Sequence, residues 1–255
     1  MALLDPYPLQ PFLDKLLSRC RLSGDECRAI LKLPAWPVQV ATNRDFVRLG
    51  EKVDHACFVL EGLVGRFGQN REGARQISAV HLPTDMVDLH SVVAPHACSA
   101  LQALTVSTIL RVPHAALREA ARRHPAIAEA FWRECVVDAA VLAEWVVNVG
   151  RRTARARIAH LLCEVACRVE RRSRPSGRFA FPATQVHIGD MVGLTSVHVN
   201  RTLQDLRKDR LIDMRRRTVE ILDWDGLAEA GEFEPDYLLL DPETGDAPLL
   251  AAIAA

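Results

Sequence analysis

In the stretch GLTSVHVNRTLQDLRKDRLI, residues 193–212, the side chains Ser196, Val197, Asn200, Arg201 and Gln204 recur at helical spacing on one polar face. These types suit the edges of base pairs. Arginine forks onto guanine, asparagine and glutamine pair bidentately with adenine, and an apolar group meets the thymine methyl. Ser196 and His198 are also placed for phosphate oxygens, which position a protein on a duplex. A second set follows at Arg215, Arg216 and Arg217, three consecutive cations suited to phosphate contact. A solvated helix face and a charged turn would carry similar residues, so the elements that position them must decide.

Those elements are legible. Thr184 can cap a helix QVHIGDMV whose apolar residues are Ile188, Met191 and Val192. Gly193 suits a left-handed turn. Thr195 then caps a second helix, with Val199, Leu203 and Leu206 inward at i, i+4 and i+7. Two short helices joined by a tight glycine turn form a helix-turn-helix, whose second helix meets base edges with its N-terminal residues. The following LIDMRRRTVEIL reads as a two-stranded wing with the arginines at its tip.

Charge supports this placement. The 255-residue chain has 32 basic and 32 acidic residues, yet residues 151–217 carry 16 basic against 6 acidic, and residues 218–255 carry 10 acidic and no basic ones. A local excess of +10 is an electrostatic footprint of nucleic-acid binding, although solvated helix faces give the same composition.

The rest of the chain must carry these parts. Residues 12–33 read as a helical lead-in. Residues 38–112 form short runs separated by turns, including TDMVDL, as in an antiparallel roll. HAALREAARRH is a short helix. Pro125 then opens a long one, with Ile127, Phe131, Cys135, Val141 or Leu142, Trp145 and Val149 as an apolar stripe. Such a helix lies in a core or pairs with its own copy. Asp138 beside the stripe is a solvated flank or a register-setting residue. Gly150 breaks the pattern, and an amphipathic helix follows with Ile158, Leu161, Leu162, Val165 and Val169 inward.

This order, and IGDMVGLTSVHVNRTLQDLRKDRLI above all, resembles the Crp/Fnr superfamily of bacterial transcription regulators. GRRTARARIAHLL resembles its connecting helix, and FVLEGLVGRF, REGARQI and TDMVDLH its sensory roll; the similarity covers about residues 12–231. The resemblance implies an α+β chain: a sensory, cyclic-nucleotide-binding-like β-roll over 1–124, a dimerisation helix over 125–150, a winged helix-turn-helix over 151–231, and an acidic C-terminal extension over 232–255. The extension reads as solvated, with folding back onto the basic domain as the alternative. The resemblance also implies that Ser196, Val197 and Arg201 read bases and that Thr195 and His198 touch phosphates. It implies a homodimer on a palindromic double-stranded DNA site, with RNA polymerase as partner.

The sensory part departs from the cyclic-nucleotide binders of that superfamily. Their cassette is Gly-Glu-Leu followed by Arg-Ser-Ala. Here Asp88-Leu89-His90 puts leucine in the glutamate's place, and Cys98-Ser99-Ala100 puts cysteine in the arginine's. A buried phosphate without that arginine loses its strongest charge-assisted pair, so cyclic AMP is not the expected effector. Asp88, Leu89, His90, Cys98 and Ser99 remain as an effector pocket of another kind.

Seven scattered cysteines fit reduced thiols. Only Cys20 and Cys27 lie near the N-terminus, which argues against an iron-sulfur cluster. No cofactor is expected, with haem at His96 and Cys98 the alternative. Cys163 and Cys167 read as packing residues or oxidant sensors. No nucleophile–base constellation, phosphate loop or two-histidine motif points to an enzyme. No apolar run approaches the ~20 residues of a membrane helix, and no signal peptide is evident at the N-terminus, so no membrane partner and a cytoplasmic location are expected.

Overall fold

A computed structural model describes residues 7–175 and 177–240. The lead-in is two helices, α1 (Gln10–Leu17) and α2 (Gly24–Leu31). Ser23 separates them: its hydroxyl accepts from Glu26 N while the Glu26 carboxylate accepts from Ser23 N at 2.6 Å, a reciprocal cap that starts a new helix. Seven strands follow: β1 (Trp36–Val40), β2 (Arg44–Val47), β3 (His55–Glu61), β4 (Val64–Gln69), β5 (Arg75–His81), β6 (Ala100–Ala103) and β7 (Ser107–Pro113). They form two sheets, ordered β1-β7-β3 and β2-β6-β4-β5, with β3 and β7 antiparallel from His55↔Pro113. The run TDMVDL is not a strand. It lies against β3 through Thr84 N to Val59 O, Val59 N to Asp85 O and Val87 N to Cys57 O, while the Asp88 carboxylate accepts from Cys57 N at 2.7 Å and Asp85 turns back to accept from Leu82 N at 2.8 Å. A single bridge, Phe58↔Met86, and a 3-10 turn at Leu89–Val92 remain there.

Alternation along β3 and β7 serves two cores. Cys57, Val59 and Ile109 turn into the roll against Val40, Val47, Val64, Leu101 and Ala103. Ala56, Phe58, Leu110 and Val112 turn outward against α1, α2, helix α3 (His114–Arg123) and the start of helix α4 (Pro125–Arg151). There Phe12 meets Phe58 edge-on at 5.9 Å and stacks on Phe131 at 6.2 Å. Beside it, Lys15 bridges Asp85 (2.8 Å) and Glu134 (2.6 Å), and Arg19 also pairs with Glu134. Burial pushes the Glu134 carboxyl up, but the two cations outweigh it and hold it below its ordinary range.

The described residues form two compact units, 7–64 with 81–138 and 65–80 with 139–240. The second comprises the β4–β5 hairpin, the end of α4, and α5 (Ala154–Glu170), β8 (Arg178–Ala180), α6 (Gln185–Val192), α7 (Ser196–Lys208), β9 (Ile212–Arg215), β10 (Thr218–Ile221) and α8 (Trp224–Gly231). Gly150 does not end α4; the helix runs on to Arg151, and the corner falls where Thr153 caps α5 by accepting from Ala156 N. Ile158, Leu161, Leu162 and Val165 are buried, but Val169, in the last turn of α5, is 44% exposed. Cys163 and Cys167 are buried, and burial drives both thiols well above their ordinary range.

The chain after α8 is not solvated through residue 240. Phe233 and Leu238 are buried. Glu164, fully buried in α5, accepts from Trp145 Nε1 at 2.8 Å, from the Tyr237 hydroxyl at 2.9 Å and from Arg168 at 3.0 Å. Burial still holds its carboxyl above the usual carboxylate range. The tail beyond Leu240 lies outside the described residues.

Helix α4 has two apolar faces. Ile127, Phe131, Val141 and Trp145 of the expected stripe are buried in their own chain, while Cys135 and Val149 are half-buried. Trp132, Val136, Ala139, Ala143, Val146 and Gly150 form a second, exposed stripe at alternating spacings of four and three, the period of a coiled-coil seam. Asp138 is half-buried beside it.

Candidate nucleic-acid interface

The first helix of the pair, α6, starts at Thr184, whose hydroxyl accepts from His187 N at 3.1 Å while Thr184 N donates to His187 Nδ1. The ring must be neutral at Nδ1 to accept, and burial pushes the His187 pKa down. Gly193 follows at φ +67, the left-handed geometry expected for it. Sequence reasoning missed Gly189. A Cβ there would stand 2.4 Å from the Leu194 carbonyl oxygen, so the turn closes against a helix face that must be bare. The pattern G-x-x-x-G, with Gly189 four residues ahead of the turn glycine, was the available signal.

Thr195 caps α7 by accepting from His198 N. Val199, Leu203 and Leu206 are buried as expected, and Thr202 joins them at 6% exposure. On the other face Val197 is 78% exposed, and His198, Arg201 and Gln204 are exposed with it. Ser196 and Asn200 are half-buried; Asn200 Nδ2 donates to Gln185 Oε1 at 3.3 Å, so this amide is steadied by the first helix. Val197 and His198 lie in the first turn, where the positive end of the helix dipole adds to the field.

The wing pairs β9 with β10 from Ile212↔Ile221 to Arg215↔Thr218, and β8 completes the order β8-β10-β9. Its two-residue turn is Arg216-Arg217, at φ +50 and +66. This is the backbone of a primed hairpin turn, where asparagine and glycine are at ease and arginine is not. Arg215, Arg216 and Arg217 are all exposed. Arg215 also pairs with Asp213 at 2.7 Å, which takes Arg207 at 3.3 Å. Two wing cations therefore stand clear of that acid, and the third shares it.

The residues expected to line an effector pocket separate. Asp88 is buried with one oxygen on Cys57 N, and Leu89 belongs to the helix-side core. His90, Cys98 and Ser99 do meet: Cys98 Sγ is 3.9 Å from His90 Nε2 and 3.9 Å from Ser99 Oγ, with Cys98 exposed. His96 is exposed and bridges Lys52 through its backbone. Cys20 is half-buried and Cys27 buried at the helix-side core, where burial pushes the Cys20 thiol up to about 11 and Cys27 also upward. Among the described residues no three His, Cys, Asp or Glu side chains group to hold a metal, and no helix is long and apolar enough to cross a membrane.

Residues 156–230 match the Crp-like helix-turn-helix domain, and residues 37–124 match the cyclic nucleotide-binding domain. The chain belongs to the Crp/Fnr superfamily. Similar Crp/Fnr proteins include the transcriptional activator protein Anr of Pseudomonas protegens, 27% identical over 69% of this chain and 72% of that one. The fumarate and nitrate reduction regulatory protein of Vibrio cholerae is 22% identical over 76% of each. The structure of FixK2 from Bradyrhizobium japonicum superposes with a TM-score of 0.69 at 25% identity, covering 78% of this chain and 98% of that one. The protein is a Crp/Fnr-type transcription regulator with a helix-turn-helix DNA-binding domain, and not an enzyme.

Proposed function

We propose that this Crp/Fnr regulator acts in the cytoplasm as a homodimer on a two-fold operator, each protomer placing α7 in the major groove. The exposed seam of α4 carries this reading: six small or apolar residues from Trp132 to Gly150 at coiled-coil spacing leave a surface suited to a second copy. Ser196, Val197, Asn200, Arg201 and Gln204 read bases; Thr195, His198 and Arg215 to Arg217 hold phosphates. RNA polymerase is the partner through which binding alters transcription. Two arginines introduced at Trp132 and Val146 should yield monomers by light scattering and abolish tight operator binding. Dimers that bind as before would refute the seam.

The signal that sets its activity acts at the β-roll or the dimer helix and is not cyclic AMP. In the roll, buried aliphatic residues occupy the interior, Leu89 is committed to the core, and Cys98 offers no cation. Cyclic AMP at micromolar concentration should leave the melting temperature and operator affinity unchanged; a clear rise in either would refute this.

A further inference from the structure

Helix α7 holds one apolar side chain that the fold does not use. Val199, Leu203 and Leu206 are buried against their own chain, whereas Val197 is 78% exposed. On an open helix surface a β-branched residue weakens the helix relative to alanine and gains no packing in return. Its position gives it a use. Thr195 caps α7, so Val197 stands in the first turn, the part of a reading helix that meets base edges. Arg201 follows four residues on, exposed on the same face. At about 1.5 Å per residue the two stand ~6 Å apart along the axis, or about two base-pair steps. Asn200, their neighbour, has its amide nitrogen on Gln185 Oε1 of α6 at 3.3 Å.

The two methyl groups of a valine can neither donate nor accept a hydrogen bond. In the major groove every base edge offers polar atoms, and thymine adds the apolar surface of its C5 methyl. A cytosine methylated at C5 carries the same group in the same place. Unmodified cytosine presents its N4 donor to a side chain that has no acceptor. A carboxylate at position 197 would do the reverse and favour that donor. The residue at 197 therefore decides which pyrimidine stands near the guanine that Arg201 takes.

We propose that Val197 makes this regulator a reader of 5-methylpyrimidines, taking the C5 methyl of a thymine, or of a 5-methylcytosine, about two base pairs from the guanine read by Arg201. Methylation of a cytosine at that position then strengthens a site that the unmodified base leaves weak. The proposal rests on the DNA-reading role of α7.

The test uses the full-length protein and operators that it selects from a library of randomised two-fold sites. Uracil, which lacks only the methyl, replaces each thymine in turn, symmetrically in both half-sites. One position should respond, near the guanine whose preference Arg201→Ala blurs. The loss should be about fourfold per half-site, or about fifteenfold for the whole operator, the worth of one buried methyl on each side. With cytosine at that position, C5 methylation should restore a gain of the same size. In Val197→Glu the uracil response should vanish and selection should turn that position to cytosine. Val197→Ser, which carries no charge, gives the same comparison where the glutamate variant binds too weakly to measure. No responsive thymine, or a response that survives in the variants, overturns the proposal. If operators are selected and Arg201→Ala blurs a guanine while uracil has no effect, the reading role of α7 stands and the methyl contact alone falls. If the wild-type protein selects no operator, the reading role fails and the proposal falls with it.

Discussion

The wing turn allows stability and DNA binding to be separated. Arg216 and Arg217 occupy left-handed backbone at φ +50 and +66. That conformation costs an ordinary L-residue about 1–2 kcal/mol. The double substitution Arg216→Asn with Arg217→Gly relieves most of the strain at both positions. Glycine's extra freedom in the unfolded chain takes back about 0.5–1 kcal/mol. The net gain should be about 1–2 kcal/mol, or ~2–4 °C in melting temperature per kcal/mol for a domain of this size class. The same change removes two cations from each protomer. With about 0.9 of a log unit of salt slope per phosphate contact, a dimer should lose about 3.6 from its slope. Scanning calorimetry and salt-dependent anisotropy measure the two effects on the same preparations. A lower melting temperature would refute the backbone argument. An undiminished salt slope would show that the wing arginines do not meet phosphates.

Other changes test other parts. Arg201→Ala should cost about 1–3 kcal/mol and blur preference at one base position; an equal loss on every sequence would reduce Arg201 to a phosphate contact. Gly189→Ala should destabilise the DNA-binding body by about 1–3 kcal/mol in urea titrations, because the clash is with backbone; wild-type stability would mean the turn can yield. Burial lowers the His160 pKa to about 4 from its ordinary 6.5. The unfolded chain therefore binds the extra proton first, and stability should fall as pH drops from 6.5 towards 4. His160→Gln should flatten the stability–pH curve in that window, and an unchanged curve would assign the acid sensitivity to other groups.

The helix-turn-helix was open to reading because it is local. Thr184, Gly193 and Thr195 mark its boundaries by chemistry that acts within one turn, and Val199, Leu203 and Leu206 show the inward face by spacing. The wing was equally visible as a short hairpin with arginines at its tip. What escaped depends on distant partners. Gly189 is required by the Leu194 carbonyl, a constraint of turn closure rather than composition. Glu164 reads as a surface acid until Trp145 and Tyr237 arrive from either side in sequence. The same holds for residues 232–238, which look solvated by charge and are anchored by Phe233 and Leu238. TDMVDL pairs with β3 over a single bridge, because Asp88 takes the Cys57 amide and the chain then turns at Leu89–Val92. On α4, periodicity picked out the face that its own chain covers. The exposed face was harder to see because alanine and glycine supply half of it.

That two-faced helix bears on how much of the protein a cell can keep. A newly made protomer exposes Trp132, 69% accessible, and Val146, 66% accessible, on the element that also anchors its core. Pairing hides this strip only when protomers are numerous enough to meet, so dimer population and resistance to proteolysis rise together with dosage. Scarce protomers stay unpaired and keep this apolar strip open to degradation. Abundance then becomes a threshold: below it the chain is cleared, and above it the assembled regulator persists.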